Sequence, residues 1–161
     1  PIVWYTPMGF PVQQAYENYK PLQIQTRLMG KVFRPQLKVP NNNLDNKWDK
    51  RKQSAGVSPN FVHALDSCHL QMTLCHAFDQ GIKDFSMVHD SYGTLAADTE
   101  SLTMRCRETF VDLYKSHDVL IEFRNDIIRM LPESKRETVP MPPEKGDLDI
   151  TGVLDSEFFF S

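Results

Sequence analysis

No run of this sequence is apolar for the ~20 residues that a membrane-spanning helix needs, so it offers no candidate span. The first residues lack a basic stretch ahead of an apolar one, and no secretory leader is expected. Cysteine is scarce: Cys68, Cys75 and Cys106 are odd in number and have no close pairing. That excludes a disulfide framework and leads us to expect reduced thiols in a cytosolic compartment. There is no Cys-x-x-Cys, so His63, Cys68, His69, Cys75 and His76 lack the spacing of a zinc site. No catalytic arrangement surrounds the thiols either. Internal repeats are absent. So is an initial Met: the chain opens on Pro1 and reads as a fragment, a cleavage product or a subunit of something longer.

What is present fits one globular domain. A chain of 161 residues can bury roughly two thirds of its unfolded surface, and 40% hydrophobic with 24% charged residues is not a disordered composition. The overall charge of −3 hides an asymmetry. Residues 1–60 hold nine Lys/Arg against Glu17, Asp45 and Asp49, a net of +6; the remainder holds nine against eighteen, a net of −9. A basic first third could face phosphates, or could be an ordinary solvated surface.

Ile2–Tyr5 and Pro11–Val12 flank Pro7 and Gly9 as strand, turn, strand. Residues 13–40 alternate well enough for a long β-hairpin, and Asn41-Asn42-Asn43 reads as a turn. Lys47 to Ser54 is charged and helical in character. Ser58-Pro59 reads as a helix start. Phe61, Leu65, Cys68, Met72 and Cys75 then share one helical face, with His63 off that face and Gly81 as the stop. A second helix begins at Asp98, with Leu102, Cys106, Phe110 and Leu113 on one side. A third spans Asp118 to Leu131, with Val119, Phe123, Ile127 and Met130 inward, and Pro132 ends it. Residues 132–149 form an extended loop. Phe158-Phe159-Phe160 at the end would be a liability unless docked.

Phe85-Ser86-Met87-Val88-His89-Asp90-Ser91-Tyr92-Gly93 is laid out as a strand running into a tight turn, with Gly93 supplying the turn and Leu95-Ala96 returning as partner. Asp90 falls where the strand ends. A carboxylate there is held by the sheet yet open to solvent, which suits a divalent cation and a phosphate; an ordinary Asp opening a hairpin is the plainer reading.

These residues, with Pro59-Asn60-Phe61-Val62-His63, Cys68-His69-Leu70, Arg107-Glu108-Thr109, Asp155-Ser156-Glu157-Phe158 and Thr6-Pro7-x-Gly9-Phe10-Pro11-Val12, occur in a recognisable order. The chain closely resembles the C-terminal part of the single-subunit DNA-directed RNA polymerases of T-odd type bacteriophages. The resemblance runs nearly end to end and is weak only over about residues 16–50. It implies an α+β fold: the C-terminal fingers and palm portion of a right-hand polymerase. Within it, about residues 13–52 would be a promoter-reading hairpin, 85–97 a catalytic strand-turn-strand, and 132–161 a C-terminal loop and foot.

The resemblance implies roles as well. Asp90 would be the catalytic, metal-binding carboxylate, sharing two magnesium ions with an aspartate outside this chain. His63 would lie at the nascent base pair. His89, Ser91, Phe160 and Ser161 would support the active site, and Phe158 would belong to the foot. The hairpin diverges most from the family pattern; by side-chain chemistry its Gln25, Arg27, Arg34 and Gln36 would suit contacts to DNA in the major groove, where Arg pairs with guanine and Gln with adenine. The partners implied are the remainder of the polymerase, double-stranded promoter DNA, template DNA, nascent RNA and ribonucleoside triphosphates, in the cytoplasm of an infected bacterial host.

Departures from the family pattern bear on role. The first aspartate motif is absent, as are the fingers' lysine and tyrosine, so the chain alone would be incomplete. Asp66-Ser67-Cys68-His69-Leu70 stands where relatives have Asp-Gly-Ser-His-Leu, and Phe160-Ser161 replaces aromatic-alanine. Three rivals remain. One is a separately encoded C-terminal subunit. Another is a non-catalytic module derived from a polymerase that binds nucleic acid or a host protein. The last is a family-A DNA polymerase piece, which would carry Glu at the position of Ser91.

Overall fold

The computed structural model describes residues 1–43 and 47–159, which fold as an α+β chain in two compact units. The first comprises residues 1–2 and 13–59, the second residues 3–12 and everything from Asn60 onward.

The first unit is built on an antiparallel arm. Its outer ladder pairs β3 (Tyr19–Gln23) with β6 (Gln36–Pro40); its inner ladder pairs β4 (Thr26–Leu28) with β5 (Lys31–Phe33). The inner register continues the outer one. Gln23 faces Gln36 and, three residues further along each strand, Thr26 faces Phe33. The ladder lapses between them because Pro35 has no N–H to donate; its carbonyl still accepts from Ile24 N at 3.0 Å. At the tip, Met29 and Gly30 both have positive φ (49° and 75°), as a two-residue hairpin turn whose twist matches its strands requires.

The base of the arm closes through Asn41 N to Asn18 O (2.8 Å), Asn18 N to Lys47 O (2.7 Å) and Asp49 N to Tyr16 O (2.9 Å). Helix α1 (Lys50–Asp79) begins there, earlier than the Ser58-Pro59 signal suggests. Asp49 caps it: its Oδ1 accepts from Lys52 N at 3.0 Å. Pro59 lies inside the helix. Ala55 and Pro59 are both exposed, which leaves the carbonyl that Pro59 cannot bond to water.

In the second unit, the turn between β1 (Ile2–Tyr5) and β2 (Pro11–Gln14) is held by Thr6, whose carbonyl accepts from Gly9 N (2.7 Å) and whose Oγ1 accepts from Phe10 N (3.1 Å). Trp4 is 1% exposed and packs edge-on against Phe123, which also meets Phe61. The later part of α1 ends in a Schellman motif: Gly81 takes φ 100°, its N–H reaches Phe78 O, and Ile82 N reaches Ala77 O. Ile82 and Ala77 are thereby buried with Leu102 of α2 (Thr99–Ser116), against Phe85, Met87 and Tyr92.

Two helical faces differ from the sequence reading. On α1, Leu65, Cys68, His69, Thr73 and Ala77 are buried, while Cys75 is exposed. The buried stripe admits polar residues because Thr73 Oγ1 donates to His69 O (2.9 Å) and meets Thr109 Oγ1 of α2 (2.8 Å). On α3 (Val119–Met130), Met130 is 43% exposed and Asp126 is the buried residue. Asp126 accepts from Tyr5 N (2.9 Å) and from Arg129 (3.0 Å), which offsets its desolvation. Asp118 caps α3 by accepting from Ile121 N, and the helix ends before Pro132 as expected. After a short helix α4 (Glu133–Arg136), the chain runs without regular structure to a 3₁₀ turn at Ile150–Leu154 packed on α2.

Candidate active site

The expected strand-turn-strand is a hairpin of β7 (Phe85–Val88) and β8 (Ser91–Thr94), with Val88 opposite Ser91 and a two-residue loop, His89-Asp90. The return strand is therefore Ser91–Thr94, not Leu95-Ala96. Gly93 does not make the turn either. It lies within β8, opposite Ser86, where a β-carbon would come 2.9 Å from the Ser86 carbonyl oxygen. The left-handed residue is His89, at φ 53°. The inner face of the hairpin (Phe85, Met87, Tyr92) rests on the core, so the exposed apex carrying His89 and Asp90 is anchored from behind.

Asp90 borders two large clefts. One, of about 700 Å³, is lined by His63, Asp66, Ser67, Leu70, His89 and Asp90. The four α1 residues follow steps of three, one and three, which is one face of a helix. His63 is exposed there, as its place off the apolar face suggested. The other cleft, of about 640 Å³, lies among β8, α2 and the tail; Asp90, Ser91, Arg107 and Phe159 are among its lining residues.

Behind the apex lies a buried polar cluster. His69 Nε2 is 2.8 Å from the Cys106 carbonyl, and His69 Nδ1 is 3.0 Å from the Tyr92 hydroxyl. Burial lowers the pKa of His69, opposed by the Cys106 carbonyl and then by Asp66. Burial likewise raises the Tyr92 phenol far above its ordinary value and pushes the Cys106 thiol up to about 11. These side chains are neutral near pH 7.

The tail docks through one of its phenylalanines. Phe159 packs edge-on to Phe110 (5.0 Å) and under the Arg107 guanidinium (5.6 Å). Arg107 Nη1 also donates to Val153 O (2.9 Å) and to Ser156 O. Phe158 does not dock: it is 80% exposed, because Arg107 and Phe110 engage its neighbour instead. Phe160 and Ser161 lie outside the described residues. In the first unit, Gln25, Arg27, Arg34 and Gln36 are all exposed. By strand alternation and register they share one face of the arm, while Leu22, Ile24, Leu28, Phe33 and Leu37 share the other.

Residues 1–140 match the family model described as DNA-dependent RNA polymerase. The chain belongs to that family. It is 43% identical over 161 residues to T7 RNA polymerase of Escherichia phage T7, covering 98% of this chain and 18% of the phage protein. It is 38% identical to the DNA-directed RNA polymerase of Enterobacteria phage K11, over 99% of this chain and 18% of the relative. Against DNA-directed RNA polymerase 1A of Nicotiana tabacum it is 35% identical, over 100% of this chain and 96% of the relative. The chain thus spans less than a fifth of the length of the phage relatives.

Two features of the site in this polymerase family member go beyond the sequence reading. Asp66 joins the cleft because it lies one helical turn from His63 on α1, a spacing visible in the sequence. Tyr92 and His69 meet only through the packing of β8 on α1. Among the described residues no group of three His, Cys, Asp or Glu side chains converges to hold a metal, and no helix is long and apolar enough to cross a membrane.

Proposed function

We propose that this chain supplies Asp90 as a catalytic carboxylate to DNA-directed RNA synthesis, within a site completed by an aspartate outside residues 1–161. The observation that carries the reading is the exposed Asp90 on a core-backed hairpin apex, sharing a cleft with His63, Asp66 and His89 in a member of a polymerase family. The donor set fits magnesium, which takes oxygen ligands and needs only one or two protein carboxylates, the rest being water and phosphate oxygens. When bound, two such ions would activate the RNA 3′-hydroxyl and neutralise charge on the departing pyrophosphate. The 3′-oxygen forms a bond to the α-phosphorus of a ribonucleoside triphosphate as the bond to pyrophosphate breaks. Asp90 orients the reacting groups, and its rigid seat limits the reorganisation they need.

The other assignments follow as parts of this proposal. His63 lies at the nascent base pair, and His89 and Ser91 support the active site. Phe160 and Ser161 are assigned to active-site support, in a fingers and palm portion of a right-hand polymerase. Gln25, Arg27, Arg34 and Gln36 read promoter DNA. The remainder of the polymerase, template DNA and nascent RNA are the partners, in the cytoplasm of an infected host. One observation favours a non-catalytic nucleic-acid module instead: residues 1–60 carry a net charge of +6, and the arm displays Gln25, Arg27, Arg34 and Gln36 exposed on one face.

Asp90→Asn in the complete polymerase separates the two readings. It should abolish single-nucleotide addition while promoter binding persists. Elongation at the wild-type rate would overturn the catalytic reading.

A further inference from the structure

A two-residue loop that must present a carboxylate in one place needs more than its own ladder to hold it. We propose that the hydrogen bond between Tyr92 and His69 is a latch that fixes the Asp90 turn against α1 and α2, with both residues acting as positioning residues. The consequence for catalysis rests on the reading of Asp90 above; the latch itself does not.

The direction of each bond follows from chemistry. The Cys106 carbonyl can only accept, so His69 Nε2 must carry the proton. In the neutral ring that leaves Nδ1 as an acceptor, and the Tyr92 hydroxyl donates to it. The backbone of α2 therefore selects the tautomer of a histidine on α1, and that tautomer receives a side chain of β8. Burial of the imidazole favours the neutral form that the arrangement requires.

The ring itself cannot swing. It is 4% exposed and bracketed by Tyr92 (5.7 Å between centroids) and by the edge-on ring of Phe110 (5.4 Å). Tyr92 is two residues from Asp90, the second residue of the strand that leaves the two-residue loop. His69, Tyr92, Asp66 and Asp90 also line one small cavity of about 50 Å³, so the latch and both carboxylates are neighbours. Packing alone would accept Phe at position 92. The hydroxyl and the imidazole nitrogen are both largely desolvated here, and their pairing offsets that cost.

The test uses the complete polymerase with ¹⁵N-labelled histidine. In the unaltered protein near pH 7, His69 should show the Nε2-protonated tautomer; an Nδ1-protonated or doubly protonated ring would overturn the latch. In Tyr92→Phe, the Nδ1 resonance should move toward that of an unbonded ring nitrogen. Amide exchange at Asp90 and Ser91 should quicken about fivefold, the scale of one net hydrogen bond, while α2 and α3 are unchanged. The rate of nucleotide addition should fall with KM for the triphosphate unmoved. Wild-type exchange at the turn, or a uniform loss of protection across the helices, would overturn the proposal. Faster exchange at the turn with undiminished nucleotide addition would leave the latch standing and remove the catalytic reading of Asp90.

Discussion

Gly93 and Ser86 face each other across the β7–β8 ladder so closely that the missing β-carbon is what lets the strands meet. The clash would be with backbone oxygen, which has no rotamer to give.

Gly93→Ala should therefore part the strands. A destabilisation of about 1–3 kcal/mol is expected, the usual scale for forcing atoms into a packed site. The apex should shift with it, so nucleotide addition by the polymerase should fall further than stability alone explains. Denaturant midpoints and single-turnover rates on the same preparation check both. A variant with unchanged stability would show that the strands have room to relax.

Arg107 carries the tail. Its guanidinium serves two carbonyls and the face of Phe159 at once, a combination that an ammonium cannot reproduce. Both Arg107→Ala and Arg107→Lys should release residues 153–159, read as faster proteolytic cleavage after Ile150. If Arg107→Lys protects the tail as well as Arg does, charge alone holds it.

The buried neutral His69 links stability to pH. Its folded pKa lies below the ordinary 6.5, so between those two values the unfolded chain binds more protons. Stability from this residue is complete above about pH 6.5 and is lost as pH falls toward the lowered value. His69→Gln should flatten that window in urea-denaturation midpoints measured across it. An unchanged slope would place the acid sensitivity elsewhere.

The arm should read sequence with its polar face. Exchanging residues 16–50 for a relative's should move promoter preference and leave elongation alone. Within the arm, Arg27→Ala should cost about 1–3 kcal/mol at one promoter position if it meets a base edge, and weaken binding uniformly if it meets phosphate. Competition binding on single-position promoter variants distinguishes the two.

Much was legible in the linear chain because it depends on neighbours a few residues apart. Alternation placed the arm and the Phe85–Val88 strand; the Gly81 stop and the Asp118 cap are local signals; and the motif order carried the family. What failed were readings that a distant partner overrides. Ser58-Pro59 looks like a helix start until Asp49, positioned by Tyr16, begins the helix nine residues earlier. Gly93 looks like a turn residue until Ser86 is seen opposite. Met130 and Cys75 fit an apolar face that tertiary packing rotates away, giving the interior to Asp126, His69 and Thr73. These buried polar side chains each take a partner from another element, 121 residues away for Asp126, 37 for His69 and 36 for Thr73. The chain's own order thus determined its elements and its family. Only tertiary structure decided which polar groups pair inside, because their partners come from elements far apart in the chain.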